Sequence, residues 1–456
     1  MLENDVYIST MLNGRFDFAI NRYNQSMNHF LFPTVKLSDL LRTKPQYGAN
    51  ESGIERKSSF EPRYIRITDI NEFGVLNSSI GVTAANIEEK YILEDNDILI
   101  ARSGATVGKS YIYKKDKQNY ICFFAGYMIR FRTNIELILP DYLFIYTQLS
   151  FYKQWTTAIQ RSTGQPNINA EEYQSLKIPL PPKEIQQQVV DLYQHAVEEK
   201  QNKEQKSEAL LAGINDYLLK ELGIVLPVNV EKERYFEVSI FDLIGERLDA
   251  YYNQKYFTET IHAINKSKYN VDFLGHLISD LKNGVEIRNY TENGFRYLRV
   301  TDLGENGMND YSPRFVEVQK IPEYIKLNER CILISRSGSL GLVNAFEPKL
   351  VNTILSSHIF KVELLTEIIN PFYLEAYLRS KIGQLEIFRN NNGGVIPEIN
   401  QGALRSIHIV IPPIEKQNEI AEHIQSIRAK AKQLQEEARE VLEKVKIEIE
   451  KMIIGE

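Results

Sequence analysis

Cysteine is nearly absent: Cys122 and Cys331 are the only two in 456 residues. That is too few for a disulfide framework and points to a reducing compartment. His29, His195, His262, His276, His358, His408 and His423 stand singly. No Cys or His pair has ligand spacing, so no metal site is expected. No run of eighteen apolar residues occurs, and the amino terminus lacks a basic region ahead of an apolar stretch. Neither a membrane span nor a secretory signal is expected, and the cytoplasm is the expected location. Positive charge is also in short supply, with a net charge of −6, which at first weighs against a nucleic-acid partner. What the chain does have is 43% hydrophobic and 25% charged residues, enough to bury cores in two to three domains.

The acidic excess is confined to particular regions. Residues 1–182 carry 20 Lys/Arg against 19 Asp/Glu, and residues 233–413 carry 20 against 22; residues 183–232 carry 6 against 9, and 414–456 carry 8 against 10. Arg102, Lys109, Lys114, Lys115, Lys117, Arg130 and Arg132 cluster within 102–132 against Asp116 alone. Such a stretch is either a solvated face or a phosphate-contacting patch on a neutral domain.

The chain is written twice. Tyr64-Ile-Arg-Ile-Thr-Asp-Ile70 returns as Tyr297-Leu-Arg-Val-Thr-Asp-Leu303, and Ile98-Leu-Ile-Ala-Arg-Ser-Gly104 returns as Ile332-Leu-Ile-Ser-Arg-Ser-Gly338. Gly164-Gln-Pro-Asn-Ile-Asn169 returns loosely as Val395-Ile-Pro-Glu-Ile-Asn400, Ile178-Pro-Leu-Pro-Pro182 as Val410-Ile-Pro-Pro413, and Arg15-Phe-Asp17 as Arg247-Leu-Asp249. Blocks in one order at offsets of 231–234 mark a tandem duplication. Each copy begins β-rich, with β-branched runs ending in polar or glycine punctuation. A helix opening on proline follows, at Pro140–Leu149 and Pro371–Leu378. Then come a Gly/Asn loop, a short apolar strand and a Pro-Pro break.

A long charged segment follows each break. In the second copy Ile420, Ile424, Ile427, Ala431, Leu434, Ala438, Val441 and Val445 alternate at steps of four and three, a coiled-coil seam. In the first, Ile185, Val189, Leu192 and Ala196 begin the pattern, Glu198–Glu208 interrupt it, and Leu210, Leu211, Ile214, Leu218 and Leu219 resume it. Each stripe is the obvious partner of the other.

Several motifs imitate catalytic ones. Gly104-Ala-Thr-Val-Gly-Lys-Ser110 has three residues between its glycines where a phosphate-binding loop needs four. Asn370-Pro-Phe-Tyr373 resembles the motif with which amino-methyltransferases hold an extruded adenine. Its counterpart Leu139-Pro-Asp-Tyr142 drops the asparagine, and no methyl-donor loop precedes it. A helix start is the expected reading, and no catalytic residue is assigned. The features preserved between copies build scaffold: a Thr-Asp turn, an Arg-Ser-Gly turn, a Gly/Asn loop and a Pro-Pro break. The loops between them differ, Lys44–Arg63 against Lys282–Arg296 and Thr106–Tyr120 against Ser339–Leu350.

These residues resemble the specificity (S) subunit of type I restriction-modification systems. The resemblance is carried by Arg247-Leu-Asp-Ala-Tyr-Tyr252, Ala101-Arg-Ser-Gly-Ala-Thr-Val-Gly-Lys109, Gly164-Gln-Pro-Asn-Ile168 and Ile411-Pro-Pro-Ile-Glu-Lys-Gln417. It implies an α+β fold with two tandem β-rich target-recognition domains, separated by two long helices that form an antiparallel coiled coil. The segments would be 1–182 for the first recognition domain, 183–222 for the first helix, 223–413 for linker and second domain, and 414–456 for the second helix. It further implies a non-catalytic subunit whose domains each read half of an interrupted double-stranded DNA target while the helices set the gap. The implied partners are two methyltransferase subunits, which bind S-adenosylmethionine, and two restriction subunits; the role is phage defence.

Arg, Lys, Asn and Gln on loops are the side chains that reach phosphates and base edges. The candidates in the first copy are Arg63, Arg66, Arg102, Ser103, Lys109, Lys114, Lys117 and Gln165. In the second they are Lys282, Asn283, Arg288, Asn289, Arg296, Arg299, Arg336 and Ser337. Ile185, Val189, Leu192, Ile214, Leu218, Ile420, Ile424, Ile427, Leu434, Val441 and Val445 are the expected coiled-coil contacts. The alternatives are a stand-alone adenine methyltransferase using Asn370–Tyr373 and a protein-binding scaffold without DNA preference.

Overall fold

The computed structural model describes residues 23, 30–77, 79–118, 120–160, 166–227, 236–238, 247–304 and 307–455. They divide into two compact units, residues 1–203 with 436–456 and residues 204–435. The four consecutive segments expected from sequence are thus regrouped, and each unit takes half of each long helix.

In the first unit β1 (Thr34–Lys36) pairs antiparallel with β10 (Lys177–Pro179), the strand just before the Pro-Pro break. Between them lie two four-stranded sheets. One has the order β2 (Gln46–Tyr47), β9 (Met128–Phe131), β6 (Ile98–Ala101), β7 (Ser110–Ile112). The other has the order β3 (Ile54–Glu55), β5 (Val82–Thr83), β4 (Arg63–Ile65), β8 (Cys122–Phe124), with β4 and β8 parallel. Helices α1 (Pro140–Tyr146), α2 (Ser150–Ile159) and α3 (Ala170–Gln174) follow, then the long α4 (Lys183–Leu222).

The second unit repeats the plan. After α5 (Lys255–Asn265), β11 (Asn270–Phe273) pairs antiparallel with β21 (His408–Ile411). The main sheet runs β12 (Ile278–Asn283), β20 (Ile359–Leu364), β17 (Cys331–Ser335), β18 (Val343–Ala345). A smaller sheet places β13 (Phe295–Leu298) between β16 (Arg314–Val316) and β19 (Thr353–Leu355), again with one parallel pair. The short pair β14 (Leu303–Gly304) and β15 (Gly307–Met308) corresponds to a single bridge, Ile70 with Leu76, in the first unit. Helices α6 (Pro371–Arg379), α7 (Lys381–Arg389), α8 (Gln401–Arg405) and α9 (Ile414–Ile454) complete it.

The repeated residues make the same bonds twice. Tyr64 Oη donates to Ala49 O at 2.7 Å, and Tyr297 Oη to Val285 O at 2.8 Å. Gly48 and Gly284 hold the chain at that crossing, where a Cβ would collide with carbonyls of Phe124 and Ala125, or of Leu355 and Ser356. The Thr-Asp motif is a 3-10 turn: buried Asp69 accepts from Arg66 N and from its guanidinium, as Asp302 does from Arg299. The β-branched run is therefore strand only at Arg63–Ile65, because the aspartate caps a turn immediately afterwards.

Each unit also bonds its long helix to its proline-led helix. Gln186, buried after the first Pro-Pro break, accepts from Leu139 N at 2.8 Å and donates to Leu137 O and Pro181 O. Gln417 accepts from Asn370 N at 2.9 Å and donates to Ile368 O and Pro412 O. Asn370 caps α6, accepting from Phe372 N and Tyr373 N. The Tyr373 hydroxyl is buried and donates to Val410 O at 2.7 Å, as Tyr142 does to Pro179 O at 2.8 Å. Burial pushes both phenols well above their ordinary range. Asn370–Tyr373 is a helix start, as its sequence context indicates, and it has no free polar edge to hold a base.

The long helices run antiparallel within each unit. In the first, Val189, Val190, Tyr193 and Ala196 share a core with Leu442, Ile449 and Ile453, and Lys203 bonds Glu437 at 2.7 Å. In the second, Leu218 and Leu222 share a core with Ile420, Ala421 and Ile424. Ser207 Oγ there donates to Ala431 O, and Lys416 pairs with Glu221 at 2.7 Å. Two features differ from expectation. Much of each stripe packs on its own unit, on Tyr142, Ile145 and Tyr146 or on Tyr373 and Ile387, as well as on the facing helix. The strict heptad also slips: Ile185, Leu192, Ile214, Ile427, Leu434, Val441 and Val445 are only half-buried, whereas Leu442, Ile449 and Ile453 are fully buried. A helix of 3.6 residues per turn drifts about 20° per heptad from a 3.5 repeat, which carries the buried face from Val441 to Leu442.

Replacing Gln417 by alanine strands the Asn370 N–H and two carbonyls. Its expected cost is about 1–3 kcal/mol in urea-induced unfolding, with a similar cost for Gln186→Ala.

Candidate nucleic-acid interface

The Arg-Ser-Gly turn leaves the end of a buried strand, β6 in one unit and β17 in the other. Glycines at positive φ, Gly104 (78°) with Gly108 (88°) and Gly338 (83°) with Gly341 (90°), shape the turn, a conformation that costs a Cβ-bearing residue free energy. In both units it docks on the distant Pro-x-Ile-Asn segment. Gly104 N donates to Pro166 O at 3.0 Å and Ile168 N to Arg102 O at 2.9 Å. Gly338 N donates to Pro397 O at 3.2 Å and Ile399 N to Arg336 O at 3.0 Å. Two motifs some sixty residues apart thus form one surface.

Around that frame the side chains differ. In the first unit the Arg102 guanidinium lies 4.8 Å from the centroid of the Tyr47 ring, and its Nε is buried without a hydrogen-bond partner. Tyr47 Oη accepts from Ala170 N, and Tyr127 beside it is 63% exposed. Cationic and aromatic groups face outward together. In the second unit Arg336 instead pairs with Glu398 at 2.6 Å, and Ser337 Oγ lies 2.6 Å from His358 Nδ1. Asn283, at the Tyr47 position of its sheet, accepts from Gln401 Nε2 at 3.3 Å. A carboxylate accepts from a cytosine amino group, whereas arginine suits guanine or phosphate.

Twelve of the sixteen sequence candidates separate into three groups. Arg102, Ser103 and Lys109 gather at this surface in the first unit, and Asn283, Arg336 and Ser337 at its counterpart in the second. Lys117 and Asn289 are exposed on loops, while Arg288 and Lys282 are exposed but paired with Glu286 and Asp280. Arg66, whose side chain is 41% exposed, and Arg299 are held by their aspartates with the guanidinium partly in solvent. This bonding raises both guanidinium pKa values.

Three candidates are corrected. Arg63 is 3% exposed and spends its guanidinium on Asn77 and Tyr120, because β4 points it into the core. Its counterpart Arg296 is covered and paired with Asp310 at 2.5 Å. Lys114 is committed to Asp141 and Asn96. Gln165 lies outside the described residues.

Sequence reasoning passed over Tyr47, Tyr127, Glu398 and His358. Of these, Glu398 was within reach, being next to the proline that aligns with Pro166. Burial pushes the Cys122 thiol up to about 12 and raises Cys331, so neither is a nucleophile. Among the described residues no group of three His, Cys, Asp or Glu could hold a metal, and no helix is long and apolar enough to cross a membrane.

A family model, the type I restriction modification DNA specificity domain, matches residues 32–212 and 278–444, one match per copy. The chain belongs to the specificity subunits of type I restriction-modification systems. It is 22% identical over 399 residues to the type I restriction enzyme MjaVIII specificity subunit of Methanocaldococcus jannaschii, covering 84% of this chain and 82% of that protein. It is 21% identical over 382 residues to the StySPI specificity subunit of Salmonella potsdam, covering 79% and 73%. Its fold matches a solved structure described as the structural basis of complex assembly and conformational transition of the type I R-M system. There the identity is 16%, the coverage 93% and 96%, and the TM-score 0.53.

For a DNA specificity subunit the distinction between Arg63 and Arg66 is testable. Arg66→Ala should leave the fold intact and lower the slope of log affinity against log salt by about one. Arg63→Ala should instead lower the urea midpoint, costing about 1–3 kcal/mol, with no change in that slope. Fluorescence anisotropy and denaturation of the same preparations check both.

Proposed function

We propose that this specificity subunit is a non-catalytic reader in which each unit recognises one half of an interrupted double-stranded DNA target. The observation that carries the reading is the duplicated Arg-Ser-Gly surface, one frame fitted with unlike side chains. A frame built twice with the same chemistry would read one half-site twice. Arg102 over Tyr47 in one copy and Arg336 with Glu398 in the other favour two different base sequences.

The antiparallel helices then fix the gap between half-sites. They also offer the docking surface for two adenine-methyltransferase subunits, which would supply the catalytic machinery and bind S-adenosylmethionine. Two restriction subunits would complete the assembly for phage defence. A stand-alone methyltransferase is disfavoured by the structural commitments of Asn370 and Tyr373.

The test is a genome-wide map of methylated adenines in cells expressing the methyltransferase partner, with and without this chain. An interrupted motif that appears only with the chain is expected, and methylation independent of it would overturn the reading. Exchanging residues 282–296 for another loop should change one half-site and leave the other untouched. A motif indifferent to that exchange would favour an inert scaffold.

A further inference from the structure

One loop of the second unit is built with unusual care and ends in two aliphatic side chains. At its base, buried Asn390 donates to Glu386 O at 2.9 Å and accepts from Ser406 Oγ at 3.2 Å. Asn391 Oδ1 accepts from both Gly393 N and Glu398 N at 2.9 Å, and Asn392 N donates to Glu398 O at 2.7 Å. A Cβ on Gly393 would collide with Ile396 O, so the loop closes only around glycine.

The segment Arg247-Leu-Asp-Ala-Tyr-Tyr252 supports this loop from outside. Arg247 donates to Asn391 O at 3.2 Å. The Tyr252 ring meets the Arg389 guanidinium at 3.7 Å and that of Arg247 at 5.2 Å, and Tyr252 O accepts from Arg389 Nε. The signature at the start of the second copy is thereby a buttress for the loop near its end.

At the tip Val395 is fully exposed and Ile396 is 64% exposed. Their neighbours in sequence are polar or glycine except Pro397. A rigid loop that holds two branched aliphatics in water forgoes the stabilisation that burying them would provide. Ile396 precedes Pro397, which receives the Gly338 N–H, and Glu398, which pairs with Arg336. The pair therefore projects from the rim of the surface already described. Side chains of this kind, without polar atoms, match one feature of a DNA groove edge: the C5 methyl group of thymine in the major groove. The position that aligns with Ile396 in the first copy is Gln165, an amide suited to adenine.

We infer that Val395 and Ile396 read a thymine methyl in the half-site of the second unit, with the 390–394 loop and Arg247 as positioning elements. The inference rests on the proposed function and adds the chemical group that one loop recognises. Its test uses the specificity–methyltransferase complex and a duplex carrying the target found by methylation mapping. Thymines of each half-site are replaced singly by deoxyuridine, which removes only the methyl.

At one thymine of one half-site the replacement should weaken binding by wild type roughly three- to tenfold, on the scale of burying one or two methyl groups. It should leave a Val395→Ser, Ile396→Ser double variant unaffected. That variant should keep the other half-site and an unchanged melting profile, since both side chains are largely exposed. A half-site set with no position sensitive to the methyl, or equal sensitivity in the variant, overturns the inference. If the wild-type complex yields no interrupted motif at all, it is the underlying specificity reading that fails.

Discussion

The antiparallel pairing of residues 183–222 with residues 414–454 is the constraint on which the rest depends. Each helix follows its own globular copy, so an antiparallel pair necessarily gives each unit the beginning of one helix and the end of the other. The cores record this: Val189 and Val190 lie with Leu442 and Ile449, and Leu218 and Leu222 lie with Ile420 and Ile424. Aliphatic residues supply the burial near the globular elements. Where Ser207 meets the Ala431 carbonyl, small side chains let the backbones approach. The globular elements are bound to these helices by Gln186 and Gln417 at the Pro-Pro breaks, and the tyrosines of the proline-led helices tie those helices to the strands that lead into the breaks. In the first unit Phe73 adds a contact, with its ring about 5 Å from the ammonium groups of both Lys200 and Lys446.

Duplication supplies a frame, and divergence supplies the two chemistries placed on it. The frame is a set of buried polar bonds that recur residue for residue: tyrosine to carbonyl, aspartate to backbone amide, glutamine across the helix start. Such bonds are costly to lose one partner at a time, so they survive while loops change. The Arg-Ser-Gly turn sits at the boundary between the two regimes. Its backbone is fixed by the Pro-x-Ile-Asn segment, yet the arginine side chain meets a tyrosine in one unit and a glutamate in the other.

Much of this architecture is legible before any coordinates. Repeated strings identify the duplication, proline marks the helix starts, and charged segments with apolar stripes mark the two long helices. What escapes is whatever depends on partners distant in sequence. Arg63 and Arg296 look like ligand-binding arginines, but strand alternation turns them inward, and only the positions of Asn77 and Asp310 reveal it. The helical seam is legible in kind but slips by one residue, since an apolar run such as Val441–Leu442 satisfies two phases and the globular elements choose between them. Tyr47 and His358 carry no local mark; they join the surface because sheet register brings them there. The Arg247–Tyr252 signature was recognisable as a motif, whereas its purpose, propping the 390–397 loop, becomes visible only in three dimensions.

The most direct test of the account is to shorten both helices at facing positions, removing residues 201–207 and 432–438 together, and to map methylated adenines in cells carrying the methyltransferase partner. Seven residues are two turns and preserve the buried face; at about 1.5 Å per residue they shorten the pair by about 10 Å. At about 3.4 Å per base pair, the account predicts both half-sites unchanged and a gap shorter by about two to three base pairs. An unchanged gap between unchanged half-sites would contradict it.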